Sequence, residues 1–232
     1  MRRITIAREL SDLCPNIHLL TIACGVSVDS CPSGLKKLME DKCREIEHNI
    51  LMQDIGNLPG IDEARKAYRA CGKDPARYRL SAEALLRRIV NGKGLYHINN
   101  VVDLLNLVSV TTGFSIGGYD ADAVQGDICM GIGQKTEPYE GLGRGDLNIA
   151  HMPVFRDNLG PFGSATSDSE RTGVSESTER FLTIFISFDG NKGLNEAGQM
   201  AVDLLSRYAS GVDFETAEIT TKGTCAATPV IP

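Results

Sequence analysis

The sequence lacks any apolar run long enough to cross a lipid bilayer. Hydrophobic residues make up 42% of the 232 residues and charged residues 23%, a balance typical of globular proteins, whereas a membrane helix needs about 18 consecutive apolar residues. The opening MRRITIAREL is interrupted by Arg8 and Glu9, so it does not have the hydrophobic centre of a signal peptide. We therefore expect a single compact unit in the cytoplasm, with no membrane association.

Paired cysteine motifs are also absent. The seven cysteines form no CxxC pair, and an odd number cannot be fully paired within one chain. His18 follows Cys14 and His48 follows Cys43 at short spacing, but neither pair is accompanied by a second pair at zinc-finger spacing. We expect reduced thiols and predict neither a metal site nor a cofactor.

Signatures of nucleotide and ester chemistry are incomplete. The segment GIGQKT at 131–136 has Ile132 where a phosphate-binding loop requires lysine. No GxSxG motif is present, so the serine and histidine residues do not by themselves indicate a hydrolase triad. We interpret His97 and His151 as structural residues.

Positive charge is scarce overall but concentrated in one segment. The net charge is -6, yet residues 64–94 carry nine basic residues against Asp74 and Glu83, a local charge of +7 that leaves -13 for the remainder. The basic residues are Arg65, Lys66, Arg69, Lys73, Arg77, Arg79, Arg87, Arg88 and Lys93. They form either a patch for a polyanion or the solvated faces of two helices, and the charge alone does not distinguish these.

Hydrophobic periodicity predicts a mixture of strands and helices. Strands are expected at 4–7, 16–28, 147–157 and 180–188, with an edge strand at 214–219. Helices are expected at about 33–49, 61–71, 81–91, 99–112 and 194–210, with Ser81 as an N-cap. The glycine-rich residues 113–145 indicate hairpins and turns. The polar residues 164–179 are a candidate functional loop.

The helix at 99–112 differs from the others because almost all of its surface is apolar. We expect it to be buried on most faces. Its polar residues Asn99, Asp103 and Asn106 are spaced by four and three positions and therefore share one stripe. A buried polar stripe needs partners, either the backbone of neighbouring loops or a ligand, and structural bonding is the favoured use.

Two segments together point to a family. Residues 61–89, IDEARKAYRACGKDPARYRLSAEALLRRI, and residues 98–122, INNVVDLLNLVSVTTGFSIGGYDAD, resemble the B3/B4 domain of the phenylalanyl-tRNA synthetase β subunit, and more closely the stand-alone B3/B4-like proteins. The resemblance covers about residues 60–210, and residues 1–58 are expected to form an N-terminal strand-helix layer. It implies an α+β fold with a β-sandwich-like core and flanking helices.

The family's editing chemistry is implied only in part. The resemblance places Gly117 where the family has a histidine and Gly118 where it has an alanine, while Tyr119 and Asp120 stand for Phe-Asp. Glu170 or Glu176 would read a tyrosine hydroxyl. The residues implied for substrate binding are Asn99, Asp103, Asn106, Gly117, Gly118, Tyr119, Asp120, Gly163, Ala165, Glu170, Arg171 and Glu176.

Three functions follow as hypotheses from these expectations. The first is a tRNA-associated protein that binds an aminoacyl group and hydrolyses mischarged tRNA. It would contact the RNA through residues 64–94, which we call the basic segment. The second is a binding module that has lost the chemistry, which the missing histidine favours, since a general acid or base contributes about 10² to 10⁴ in rate. The third is a small-molecule enzyme or amino-acid sensor that does not bind tRNA.

Overall fold

Two β-sheets that face each other form the centre of the protein in the computed structural model, which describes residues 2–226. The helices in this range are α1 (Arg8–Leu13), α2 (Ser33–Asn49), α3 (Pro59–Ala70), α4 (Ser81–Val90), α5 (Asn100–Thr112) and α6 (Leu194–Tyr208), with 3-10 helices at Ile55–Asn57 and Glu170–Thr172. The strands are β1 (Ile4–Ile6), β2 (His18–Gly25), β3 (Ser115–Asp120), β4 (Ile128–Ile132), β5 (Glu140–Gly141), β6 (Gly145–Asp146), β7 (Pro153–Asp157), β8 (Gly160–Ser164), β9 (Arg180–Ser187), β10 (Val212–Thr220) and β11 (Gly223–Ala226).

The sheets differ in strand direction. The larger one has the order β11-β10-β2-β9-β3 and is antiparallel throughout. The smaller one has the order β1-β4-β7-β8, in which β1 runs parallel to β4 and the other pairs are antiparallel. Strands β5 and β6 form a separate short hairpin. This arrangement confirms the predicted α+β fold with a layered β core.

The central strands of the larger sheet are apolar because both of their faces are covered. In β9 all residues except Arg180 are buried, as expected for a strand between two packed layers. One face meets the smaller sheet, and the other is covered by α5 and α6. Helix α6 approaches so closely that a Cβ on Gly198 would collide with the side chain of Leu20 on β2.

Helix α5 is the buried helix that the sequence predicts. Nine of its residues are buried. The side chain of Asn99 caps its first turn by accepting a hydrogen bond from the Val102 amide at 2.8 Å. Gly113 ends it with a φ of 81°, a left-handed conformation that favours glycine.

Long-range pairing corrects several expectations about the strands. Strands β3 and β4 lie in different sheets and not in one hairpin, because β3 pairs with the distant apolar strand β9. Strand β10 is not at the edge, since β11 pairs with its outer side. Of the strands in the N-terminal segment, β1 lies in the smaller sheet and β2 in the middle of the larger one.

Helix α4 begins where expected but without the predicted cap. Its N-cap residue is Leu80, and no side chain caps this terminus. The Ser81 amide instead donates to the Ala165 carbonyl at 2.8 Å, so a neighbouring loop satisfies the helix start.

Two further properties of the described residues concern the thiols and the length of the helices. The six cysteines at 14, 24, 31, 43, 71 and 129 are free, and all except Cys129 are buried. Among the helices of residues 2–226, none combines the length and apolar character needed to traverse a membrane.

Candidate functional site

The ring of Tyr119 fills the space between the two sheets. It meets Phe162 of β8 edge-on with ring centroids 5.0 Å apart and Phe155 of β7 with centroids 6.5 Å apart. A Cβ added to Gly117 would lie 2.6 Å from Cζ of this ring, and one added to Gly163 would lie 2.7 Å from the same atom. Contacts this short do not occur, so both positions must be glycine while the ring is there. We call the space between Gly117 and Gly163 the tyrosine slot.

A carboxyl group lies at the end of the tyrosine slot. The Tyr119 hydroxyl donates to Oδ1 of Asp168 at 2.9 Å. Burial raises the pKa of Asp168 to about 7, against the hydrogen bonds from the Tyr119 hydroxyl and the backbone amides of Gly118 and Ser164, which lower it. Burial first, and then the charge of Asp168, raise the pKa of Tyr119 well above its usual value. The slot therefore binds a phenol by shape and by one charge-assisted hydrogen bond.

The loop after β8 holds Asp168 in position. Ser164 Oγ accepts the amides of Thr166 and Ser167 at 3.2 and 3.1 Å. The Tyr139 hydroxyl donates to the Ser167 carbonyl at 2.6 Å. The backbone of Asp168 accepts the amide of Leu142 at 2.8 Å, which attaches the loop to the β5–β6 hairpin. These bonds make the carboxyl a fixed group rather than a mobile one.

The slot is closed in this structure. Tyr119 is fully buried, and the cavities of about 460, 480 and 470 Å³ that border β2, α6 and α2 are not lined by Gly117, Gly163 or Asp168. The tyrosine of the chain itself takes the space that an external ring would need.

The predicted loop residues surround this site unequally. Ala165 is buried beside Gly163 in the same segment. Arg171 forms a bidentate ion pair with Asp157 at 2.9 and 3.0 Å, which ties the loop to the β7–β8 hairpin. Glu170 is exposed, and the Gly143 amide lies 3.4 Å from its carboxyl. The carboxyl that meets a tyrosine hydroxyl is thus Asp168, which sequence reasoning did not single out.

Within residues 2–226, the side chains of the remaining predicted rim residues form no hydrogen bond with the tyrosine hydroxyl, and the paired glycines differ in what they face. Glu176 is exposed. Asp120 accepts a hydrogen bond from the Thr178 hydroxyl at 2.9 Å. Gly118 faces the opposite side of β3 from Gly117, where a Cβ would lie 2.7 Å from Cδ1 of Leu105. The paired glycines therefore serve two different contacts, one with Tyr119 and one with α5.

The polar stripe of α5 divides among different partners. Asn99 caps the helix, and Asn106 is half-buried. Asp103 is fully buried and turned towards His97 and Cys31, and its Oδ1 accepts the Ile98 amide at 2.9 Å. The structure thus does not bring Asp103 together with the tyrosine slot.

Asn100, next to the stripe, makes more hydrogen bonds than any stripe residue. Its side-chain amide donates to the carbonyls of Ser27 and Tyr208 at 2.9 Å each, and its oxygen accepts the Asp29 amide at 2.9 Å. This one side chain joins three segments. Its type and helical position carried no signal of that role in the sequence.

Much of the positive charge in residues 64–94 is neutralised within the fold. Arg65 binds the buried carboxylate of Glu83 at 2.8 and 3.0 Å, and Arg87 binds it at 2.9 Å. Arg79 lies 3.8 Å from the same group. A single buried carboxylate with three arginines is a structural cluster, because either partner alone would be costly to bury.

The other basic residues fall into two groups. Lys66 pairs with Asp62 and Glu63, Lys73 is buried and donates to the carbonyls of Asn148 and Ala150 at 2.6 and 2.8 Å, and Arg88 stacks on Tyr96 at 3.8 Å. Arg69, Arg77 and Lys93 are exposed, and none of them forms an ion pair with a residue of 2–226. These three residues form the exposed basic set.

The comparisons with known proteins agree with the fold. The model of the B3/4 domain family matches residues 63–227. The chain belongs to this family. An N-terminal fragment of the phenylalanyl-tRNA synthetase β subunit from Pyrococcus horikoshii shares the fold, with a TM-score of 0.50 and 14% identity. The alignment covers 96% of this chain and 53% of the fragment, so the chain spans about half of that structure. No curated protein sequence matches the chain.

We predict that the glycine at position 117 is required by the Tyr119 ring and not by the backbone. Gly117→Ala should destabilise the protein by about 1–3 kcal/mol through overpacking. In a Tyr119→Ala background the same change should leave the free energy of unfolding almost unaltered, because the ring with which the new Cβ would collide is gone. Urea unfolding of the four proteins in a double-mutant cycle measures the coupling.

Gly173→Ala is the matched control for this cycle. Its φ is -62° and an added Cβ would meet its neighbours at 3.4 Å or more, so its effect should stay within about 0.5 kcal/mol. If Gly117→Ala lowered the free energy of unfolding equally with and without Tyr119, the steric explanation would be refuted.

We also predict a pH-dependent stability that originates at Asp168. The pKa of this carboxyl is about 7 in the folded chain against a usual 3.8, so the folded state retains a proton that the unfolded state releases. The resulting stabilisation is complete below the usual value and is lost as the pH rises to about 7. Urea unfolding at pH 5 and pH 8 should show wild type losing stability relative to Asp168→Asn, which cannot ionise.

Asp157→Asn is the control, because the pKa of Asp157 is shifted in the opposite direction to that of Asp168. Burial raises the pKa of Asp157, but the hydrogen bonds from Arg171 and the backbone outweigh it, so the net shift is downward. Asp157 is therefore ionised throughout pH 5–8, and its variant should keep the wild-type slope. If Asp168→Asn also kept that slope, the assignment to Asp168 would be wrong.

Proposed function

We propose that this chain is a tRNA-associated binding module whose tyrosine slot accepts the side chain of an aromatic aminoacyl group when Tyr119 leaves it. Membership of the B3/4 family and the fold shared with a fragment of the phenylalanyl-tRNA synthetase β subunit support tRNA as the partner. The observation that carries the proposal is the fit of a phenol between Gly117 and Gly163, with its hydroxyl on Asp168.

Binding is better supported than hydrolysis. Gly117 stands where the family resemblance implies a histidine, and Tyr119 fills the space beside it. An ester bond placed here after Tyr119 had left would lack that general base. The non-catalytic alternative from the sequence is therefore the one we adopt.

The RNA would meet the exposed basic set. Arg69, Arg77 and Lys93 combine exposure with charge that no ion pair within residues 2–226 offsets, whereas Arg65 and Arg87 are engaged by Glu83. Cations that are not already paired release counterions from a phosphate backbone most effectively.

Reversal of the exposed basic set should weaken tRNA binding. The triple variant Arg69→Glu, Arg77→Glu, Lys93→Glu loses up to three phosphate contacts. Its affinity should fall by at least about tenfold at physiological salt, and the slope of log affinity against log salt should become shallower by up to about 3. Fluorescence anisotropy with a labelled tRNA at several salt concentrations measures both quantities.

A control variant of equal net charge separates local contact from overall charge. Lys37→Glu, Lys135→Glu and Lys222→Glu change three exposed lysines elsewhere on the surface and should leave the slope unchanged. Equal losses in the two triple variants would exclude a defined RNA site at the basic segment.

Ester hydrolysis is the second candidate, and the pKa of Asp168 favours it. A carboxyl with a pKa of about 7 suits a general base at neutral pH. It would activate a water molecule only after the Tyr119 ring had left the slot, because that ring now occupies its hydrogen bond.

One set of assays distinguishes the two candidates. For a binding module, neither wild type nor Tyr119→Ala should release tyrosine from mischarged phenylalanine tRNA faster than buffer. Tyr119→Ala should nevertheless bind p-cresol, which refills the slot and raises the Tm, whereas wild type should not respond. Differential scanning fluorimetry and a deacylation time course provide these readouts.

Tyr119→Phe is the matched control, because its ring still fills the slot while its hydroxyl is removed. It should not bind p-cresol. Release of tyrosine by wild type, abolished by Asp168→Asn, would establish the hydrolase and overturn the binding-only proposal. A Tyr119→Ala protein that is folded yet insensitive to p-cresol would remove the slot as a phenol site.

A further inference from the structure

A second cluster of reactive side chains lies at the start of α5, apart from the tyrosine slot. Within residues 2–226, Cys31, His97 and Asp103 each present one potential ligand atom, and these three atoms lie within 4.8 Å of one another. His97 Nδ1 is 3.7 Å from Asp103 Oδ2. Cys31 is far from His97 and Asp103 in the sequence, which is why no cysteine-histidine spacing indicated this cluster.

Asp103 is the residue that most needs a partner. Its side chain is fully buried, and its Oδ2 forms no hydrogen bond of standard geometry with a described residue; its neighbours are His97 Nδ1, at 3.7 Å, and the Cys31 thiol, which interacts with the carboxyl. The other oxygen, Oδ1, is held by the Ile98 amide at 2.9 Å, which turns Oδ2 towards His97. A buried carboxylate oxygen without a partner is costly, and a cation is the partner that offsets that cost most fully.

The three ligand-bearing segments are fixed relative to one another. The side chain of Asn100 accepts the Asp29 amide at 2.9 Å, which attaches the chain just before Cys31 to the first turn of α5. The bond from Ile98 to Asp103 attaches the residue after His97 to the same turn. Hydrogen bonds from backbone amides to side-chain oxygens thus hold the segments that carry the thiol, the imidazole and the carboxylate together without requiring a metal to fold them.

We infer that Cys31, His97 and Asp103 form a binding site for a divalent transition-metal ion, with Zn²⁺ as the best match. A thiolate, an imidazole and a carboxylate are the ligand types that zinc binds, at bond lengths of about 2.0–2.3 Å. Tetrahedral coordination at those lengths separates ligand atoms by about 3.3–3.8 Å. The pair at 3.7 Å already meets this separation, and since all three atoms lie within 4.8 Å, no other pair would have to close by more than about an ångström.

Three protein ligands leave a fourth position, and the surroundings give it access. His97 is about half-exposed, with 48% of its side chain accessible. It borders a cavity of about 470 Å³ that is also lined by Glu40, Glu47 and Lys93. Three ligands with an open fourth position are the arrangement of zinc sites that hold water or substrate. The sequence-based prediction of no metal site is replaced here by a specific three-residue site.

Metal titration of the full chain tests this inference. Protein stripped with a chelator should bind one equivalent of Zn²⁺, measured by calorimetry. Co²⁺ alone should produce a thiolate-to-cobalt charge-transfer absorption. His97→Gln, at a half-exposed position, should stay folded and weaken binding by at least about tenfold. Cys31→Ser should abolish the charge-transfer absorption, and Zn²⁺ should raise the Tm of wild type but not that of His97→Gln.

Matched variants keep the test decisive. Cys43→Ser removes another buried thiol, one that lines the same cavity, and His48→Gln removes a histidine of α2; both should bind as wild type does. Asp103→Asn should also weaken binding, and if it does not fold, His97→Gln and Cys31→Ser decide the question. Absence of stoichiometric binding by wild type, or a charge-transfer absorption that survives in Cys31→Ser, would overturn the inference.

Discussion

The hydrogen bond between Tyr119 and Asp168 joins the two sheets at the centre of this protein. The tyrosine comes from the edge strand of the larger sheet, and the carboxyl from the loop that follows the last strand of the smaller sheet. For this bond to form, the ring must pass over Gly117 and Gly163, which leaves no room for a side chain at either position. The packing of the ring also accounts for the raised pKa of Asp168, because it removes water from the carboxyl, whereas the hydrogen bond itself lowers that pKa. Packing, glycine usage and electrostatics at this site therefore have one origin.

The cations of the basic segment differ in whether an acidic residue of the chain already pairs with them, and only the unpaired ones are free to bind a partner. The sequence gives +7 for residues 64–94, but Glu83 collects Arg65, Arg79 and Arg87 into a buried cluster. Such a cluster is weak evidence for affinity towards a polyanion, because its arginines are already desolvated and paired. What remains for a partner is a smaller set of exposed cations on an acidic body. Steering by a field of that kind is sensitive to salt.

The sequence predicts the fold better than it predicts the site. Periodicity locates the helices, and the near absence of polar residues correctly identifies α5 as buried. The family resemblance supplies the α+β class, which local patterns alone do not specify. Pairings between distant strands, such as β3 with β9, were missed because side-chain alternation does not say which strand is the neighbour. Asp168 was missed for a related reason: it stands in a polar stretch that is typical of a turn, and only the arrival of Tyr119 from another sheet places its carboxyl against a buried ring.

The first turn of α5 shows how neighbouring polar residues acquire different roles through their partners. Asn99 satisfies the helix terminus, and Asn100 joins three segments through its side chain. Asp103 differs from both, because only one of its two oxygens is satisfied. Buried amide groups that are fully bonded have no capacity left for a ligand, whereas a buried carboxylate oxygen without a bond does. Within a run of similar residues, the incomplete hydrogen bonding of Asp103 therefore separates a candidate ligand site from residues that hold the fold together.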